Sequence, residues 1–89
     1  MGFEAYGKQV RAWIEGVFES CGVNPAKTLE LCRNLLDYGE ENGDEMLLGF
    51  ACYHMGEMYY LLNDVDNLFL YMSRSLTYLE NTRQYELAA

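Results

Sequence analysis

His54 is the single histidine of this 89-residue chain, and Glu57 follows it at a spacing of three. On a helix that spacing places both side chains on one face, where an imidazole and a carboxylate could ligate a metal. A closed site needs about four ligands, and a second such pair is missing, so the pair reads as a core or half-exposed histidine beside an acid. The three cysteines, Cys21, Cys32 and Cys52, are odd in number and have no close spacing. That argues for a reducing compartment and for small buried hydrophobes, not disulfides, ligands or nucleophiles. The acidic run Glu40, Glu41, Asp44 and Glu45 lacks the alternating spacing of a calcium loop and reads as a solvated turn. Ser20, Ser73 and Ser75 have no histidine and acid at triad-like positions, and the eight glycines are scattered with no phosphate-cradling loop. No catalytic residue, metal or cofactor is therefore expected, and the chain itself is not read as an enzyme.

Charge excludes further classes. Six Lys and Arg against fourteen Asp and Glu leave a net charge of −8. No cationic stripe exists to displace counterions from a nucleic acid or to meet an anionic membrane surface. The acidity fits a basic protein partner reached by electrostatic steering, and it fits equally well a domain kept soluble by its charge. The N-terminus lacks a basic start followed by an apolar run, and no apolar stretch approaches the ~18 residues of a membrane span, so the expectation is a cytoplasmic protein.

Whatever work the chain does must be positioned by helices. Hydrophobic residues make up 51% of it and there is one proline, which suits regular structure and a packed core. Phe3, Tyr6, Val10, Ile14, Val17 and Cys21 recur at steps of three or four, opposite Glu4, Lys8, Arg11, Glu15 and Glu19, which predicts a helix over 3–21 stopped by Gly22. Asn24-Pro25 opens a second helix over 25–42, with Leu29, Cys32 and Leu36 as its stripe, widened by Leu31, Leu35 and Tyr38, and Asn42-Gly43 as its stop. Asp44 caps a third, over 45–62, apolar around most of its circumference and so packed on more than one side. In it Gly49, Ala51, Cys52 and Gly56 are small enough to let neighbouring helices approach closely. A fourth helix over 65–81 shows Leu68, Phe69, Met72, Leu76 and Leu79 on one face. Asn81-Thr82 reads as its end, and residues 83–89 as the start of an incomplete fifth helix.

The second and fourth helices carry their stripes at one offset of 40: Leu29 with Phe69, Cys32 with Met72, Leu36 with Leu76. Their turns, Asn24-Pro25 and Asp64-Val65, and the pairs Gly16/Gly56 and Tyr38/Tyr78 fall on it too. Identity is sparse, so this repeat rests on periodicity and turns; helix pairs recurring at such a period are the sign of α-solenoids. The stretch Ala51-Cys52-Tyr53-His54-Met55-Gly56-Glu57-Met58-Tyr59, then the Asn63-Asp64 turn and Leu68, Met72 and Leu76, resembles a tetratricopeptide repeat. Leu68 and Met72 depart from it, standing where that family has Ala and an aromatic. Residues 44–80 carry the resemblance and residues 3–43 follow it in pattern.

The resemblance implies an all-α fold of two antiparallel helix pairs stacked as a solenoid. It also implies a role in protein–protein interaction, with a peptide or partner helix held in a groove lined by the first helix of each pair. Carried onto this chain, the groove residues are Tyr53, Glu57 and Tyr60, with Arg11 and Glu15 opposite. A further expectation is that the chain is the N-terminal regulatory part of a larger bacterial signalling protein, of the kind that carries diguanylate cyclase or DNA-binding effectors. In such a fragment the apolar seam of the fourth helix stays open and pairs two copies into a homodimer. The alternative is a purely structural dimerisation element with no separate ligand.

Overall fold

The computed structural model describes the backbone of residues 6–88 and the side chains of residues 6–81. Four helices follow in order: α1 (Lys8–Ser20), α2 (Pro25–Asn42), α3 (Glu45–Leu61) and α4 (Val65–Ala88). The described residues contain no strand, so the fold is all-α. Three connections of two to four residues join them, and each helix packs on the next in sequence: α1 on α2, α2 on α3, α3 on α4.

Local chemistry sets most of the boundaries. Asn24 accepts a hydrogen bond from the Lys27 amide and Pro25 occupies the first helical position, satisfying free donors at the start of α2. Asp44 and Asp64 do the same for the Leu47 and Asn67 amides at the starts of α3 and α4. Gly43 closes α2 in the left-handed conformation, which glycine adopts without the Cβ clash other residues meet.

Two boundaries differ from the sequence pattern. The first helix begins at Lys8, not residue 3, because Gly7 is extended and serves as its N-cap. Tyr6 turns away to donate its hydroxyl to the Asp44 carboxylate at 2.5 Å. Phe3 and Glu4, placed in that helix by the pattern, lie outside the described residues. The described residues also contain no fifth helix: α4 runs unbroken through Asn81-Thr82 to Ala88. Neither residue is a strong breaker, each costing at most about 0.7 kcal/mol in a helix, and no Gly or Pro follows Gly56.

The core gathers Val10, Ile14 and Val17 of α1, Leu31, Cys32 and Leu35 of α2, and Leu47, Ala51, Met55 and Tyr59 of α3. Central α3 is buried on most of its circumference, as its pattern requires of a helix between two neighbours. Close approach there depends on glycine: a Cβ on Gly49 would stand 2.8 Å from Leu79 Cδ2, and one on Gly56 2.9 Å from Met72 Cγ. On α2 the buried line is Thr28, Leu31, Cys32, Leu35 and Gly39, with Leu29, Leu36 and Tyr38 only half-buried. Thr28 can occupy this line because its hydroxyl is hydrogen-bonded. It donates to the Asn24 carbonyl (3.2 Å) and lies 2.6 Å from Ser20 Oγ.

The stripe read on α4 divides. Leu68 and Met72 are half-buried, while Phe69 and Leu76 remain 66% and 63% exposed. The packed face instead uses Tyr71, stacked on Tyr59 with ring centroids 5.5 Å apart, and Ser75, whose buried hydroxyl donates to the Gly49 carbonyl at 3.0 Å. Gly49 leaves that carbonyl accessible and Gly56 leaves a shallow seat for Met72, so polar and flexible groups fit where the pattern suggested bulky aliphatics.

Candidate functional site

Where α1 ends, its last turn meets one flank of α3. Cys21 is the C-cap of α1, its amide bonded to the Val17 carbonyl, and Gly22 follows with φ of +80°. The adjoining stretch of α3 presents Tyr53, Glu57, Tyr60 and Leu61, and α4 adds Leu68 and Met72. Together with Met58 beneath, these residues enclose an open groove of about 300 Å³ with a mainly apolar wall. Tyr60 is 68% exposed on its rim.

Tyr53, Glu57 and Tyr60, named from the sequence, therefore share one groove. Arg11 and Glu15 are exposed and line a separate recess on α1 with Lys8 and Ala12. They are not brought to the Tyr53–Tyr60 groove, because Val10, Ile14 and Val17 turn the opposite face of α1 inward. Cys21, Leu61, Leu68 and Met72 also line the groove, a role the sequence pattern did not assign to them.

Beside the groove lies a cluster of donors, of which Cys21 and Glu57 line its wall. Cys21 Sγ, a ring nitrogen of His54 and a carboxylate oxygen of Glu57 all lie within 4.8 Å of one another. His54 Nδ1 stands 2.9 Å from Glu57 Oε1, yet not in the geometry of a hydrogen bond, and this buried nitrogen has no hydrogen-bond partner. The ring is enclosed by aromatics: Phe50 at 4.5 Å, Tyr53 at 5.2 Å and Phe18 at 5.8 Å between centroids. Burial lowers the imidazole pKa below its ordinary value, with Glu57 opposing in part, so His54 is a neutral base near pH 7. Burial raises the Cys21 thiol, and the Glu57 charge raises it further.

Cys32 and Cys52 are buried, as expected of small apolar side chains. Burial pushes the Cys32 thiol up to about 12, which removes it as a nucleophile at neutral pH. Cys21 is the half-buried exception at the groove. No described helix is long and apolar enough to cross a membrane. No protein-family model matches the chain, and no curated protein or solved structure is significantly similar to it.

Proposed function

We propose that the chain is a protein-interaction module of tetratricopeptide-like character, holding a peptide or helix of a partner in the groove formed by the end of α1, α3 and α4. The observation that carries this reading is the convergence of exposed Tyr53 and Tyr60 with Leu61, Leu68 and Met72 around one carboxylate, Glu57. Aromatic side chains bury large area at small entropic cost and dominate interface energetics, while a lone acid in an apolar groove favours a ligand that brings a cation. The net charge of −8 is compatible with such a ligand. In this reading the chain has no catalytic role.

Panning a random peptide library on the folded chain tests it. Apolar peptides carrying Lys or Arg should be enriched, and Tyr60→Ala should weaken the selected peptides at least about tenfold, the loss of an interface anchor worth more than ~1.4 kcal/mol. No enrichment, or peptides indifferent to both Tyr60→Ala and Tyr53→Ala, would refute the groove assignment.

A second reading has its own observation. Val65, Phe69 and Leu76 lie along one side of α4 and are each more than half exposed, an apolar stripe suited to pairing two copies of the chain through a twofold interface. Sedimentation equilibrium should then report a dimer that Phe69→Glu dissociates; a monomer at millimolar concentration excludes this reading.

A further inference from the structure

The donor cluster beside the groove has chemistry that holding a peptide does not use. Cys21, His54 and Glu57 form the one group of three metal-ligating side chains that converge among the described residues. We propose that these three side chains bind a zinc ion through one sulfur, one nitrogen and one oxygen, with the fourth coordination position open toward the groove. The inference is independent of the groove's occupant.

The donor set selects the ion. A thiolate disfavours magnesium and calcium, which take oxygen ligands, whereas sulfur, imidazole and carboxylate together suit zinc. Three protein ligands with one open position is the arrangement of accessible zinc sites, as opposed to closed structural ones. Bonds of about 2.0–2.3 Å place neighbouring ligand atoms of a tetrahedral site roughly 3.3–3.8 Å apart. The pair on α3, at 2.9 Å, must part by a few tenths of an ångström, and Cys21, within 4.8 Å of both, must close by no more than about 1.5 Å.

Three features of the surroundings favour an ion there. His54 Nδ1 is buried 2.9 Å from the Glu57 carboxylate but outside hydrogen-bond geometry, so an ion between the two would give both atoms a well-directed partner. Phe18, Phe50 and Tyr53 set apolar ring surface around the imidazole, which limits the ways it can turn and lowers the polarity on that side of the site. The third donor comes from the end of a different helix: the backbone N–H of Cys21 donates to the Val17 carbonyl, and its neighbour Ser20 is tied to Thr28 of α2. On binding, the Cys21 thiol gives its proton to solvent and the thiolate offsets one charge of the ion, Glu57 the other.

The test is a cobalt titration of the full chain, reduced and freed of metal by a chelator, with zinc as competitor. The expected result is uptake of one Co²⁺ per chain with a near-ultraviolet thiolate-to-cobalt charge-transfer band, abolished by zinc. Cys21→Ser should remove that band and weaken binding by more than the roughly 10–100-fold that loss of an outer-shell partner costs. Half-exposed Glu57 provides a second variant: Glu57→Gln should weaken binding while keeping the band and the helix content by circular dichroism. A native chain that takes up no cobalt, a band that survives Cys21→Ser, or a band seen only after urea releases Cys32 and Cys52 would each overturn the site.

Discussion

Thr28→Val separates hydrogen bonding from apolar burial at one position. Thr28 is fully buried on the core side of α2, and valine has nearly its shape, so periodicity alone favours the replacement. A methyl group in place of a hydroxyl should gain up to about 0.8 kcal/mol from burial. Against this stand two hydrogen bonds, to the Asn24 carbonyl at 3.2 Å and with Ser20 Oγ at 2.6 Å, each worth about 0.5–1.5 kcal/mol. The Asn24 carbonyl keeps the Thr28 amide at 3.1 Å, and half-exposed Ser20 can turn to water, so neither partner is left orphaned. The net expectation is a loss of about 1 kcal/mol, with Ser20→Ala costing less and the two losses adding to less than their sum. Urea titration followed by the fluorescence of Trp13, the single tryptophan and one packed against the core, measures it. A neutral or stabilising Thr28→Val would mean that the hydroxyl pair contributes nothing and that area burial alone sets the α1–α2 junction.

Protonation of His54 should cost stability. Its folded pKa is lowered, chiefly by burial, so the unfolded chain takes up the proton first. Stability present above the ordinary value of 6.5 is then lost as pH falls through it, with a slope of at most about 1.4 kcal/mol per pH unit. Proton NMR of the lone imidazole reads the folded value, and a midpoint at or above 6.5 contradicts the burial. Gly49→Ala should destabilise by roughly 1 kcal/mol in thermal melts despite a helix-propensity gain of similar size, since the new Cβ meets Leu79 and Tyr78 at 2.8–3.3 Å. A thiol reagent should label Cys21 first and reach Cys32 and Cys52 only as the fold opens, which peptide mapping by mass spectrometry can follow; prompt labelling of Cys32 would contradict its burial.

Elements whose ends carry their own chemistry were legible in the sequence. Asn24-Pro25, Gly43 and Asp44 fix α2 and the start of α3 through bonds made within a few residues, so local pattern suffices. Asn81-Thr82 misleads because such residues cap a helix only where the chain turns, and elsewhere are tolerated inside one. Tyr6 departs from its stripe for a partner in the α2–α3 turn, a contact no local window contains. At the site, Tyr53, Glu57 and Tyr60 share a groove because one helix carries all three. Cys21 was missed for the opposite reason: its proximity to His54 is created by the packing of α1 against α3, and an isolated cysteine on an apolar stripe carries no mark distinguishing a core residue from a ligand.

The packing of every helix on its neighbour in sequence has a consequence for kinetics. The close approaches between helices are concentrated between neighbours in sequence, joined by connections of two to four residues, so most helix pairings need not await distant segments. Folding in the microsecond-to-millisecond range follows, as for other helical chains of local topology. The α3–α4 pair is the most extensively packed and the α1–α2 pair the least, so destabilising changes near α1 should accelerate fraying from that end before they unravel the α3–α4 pair.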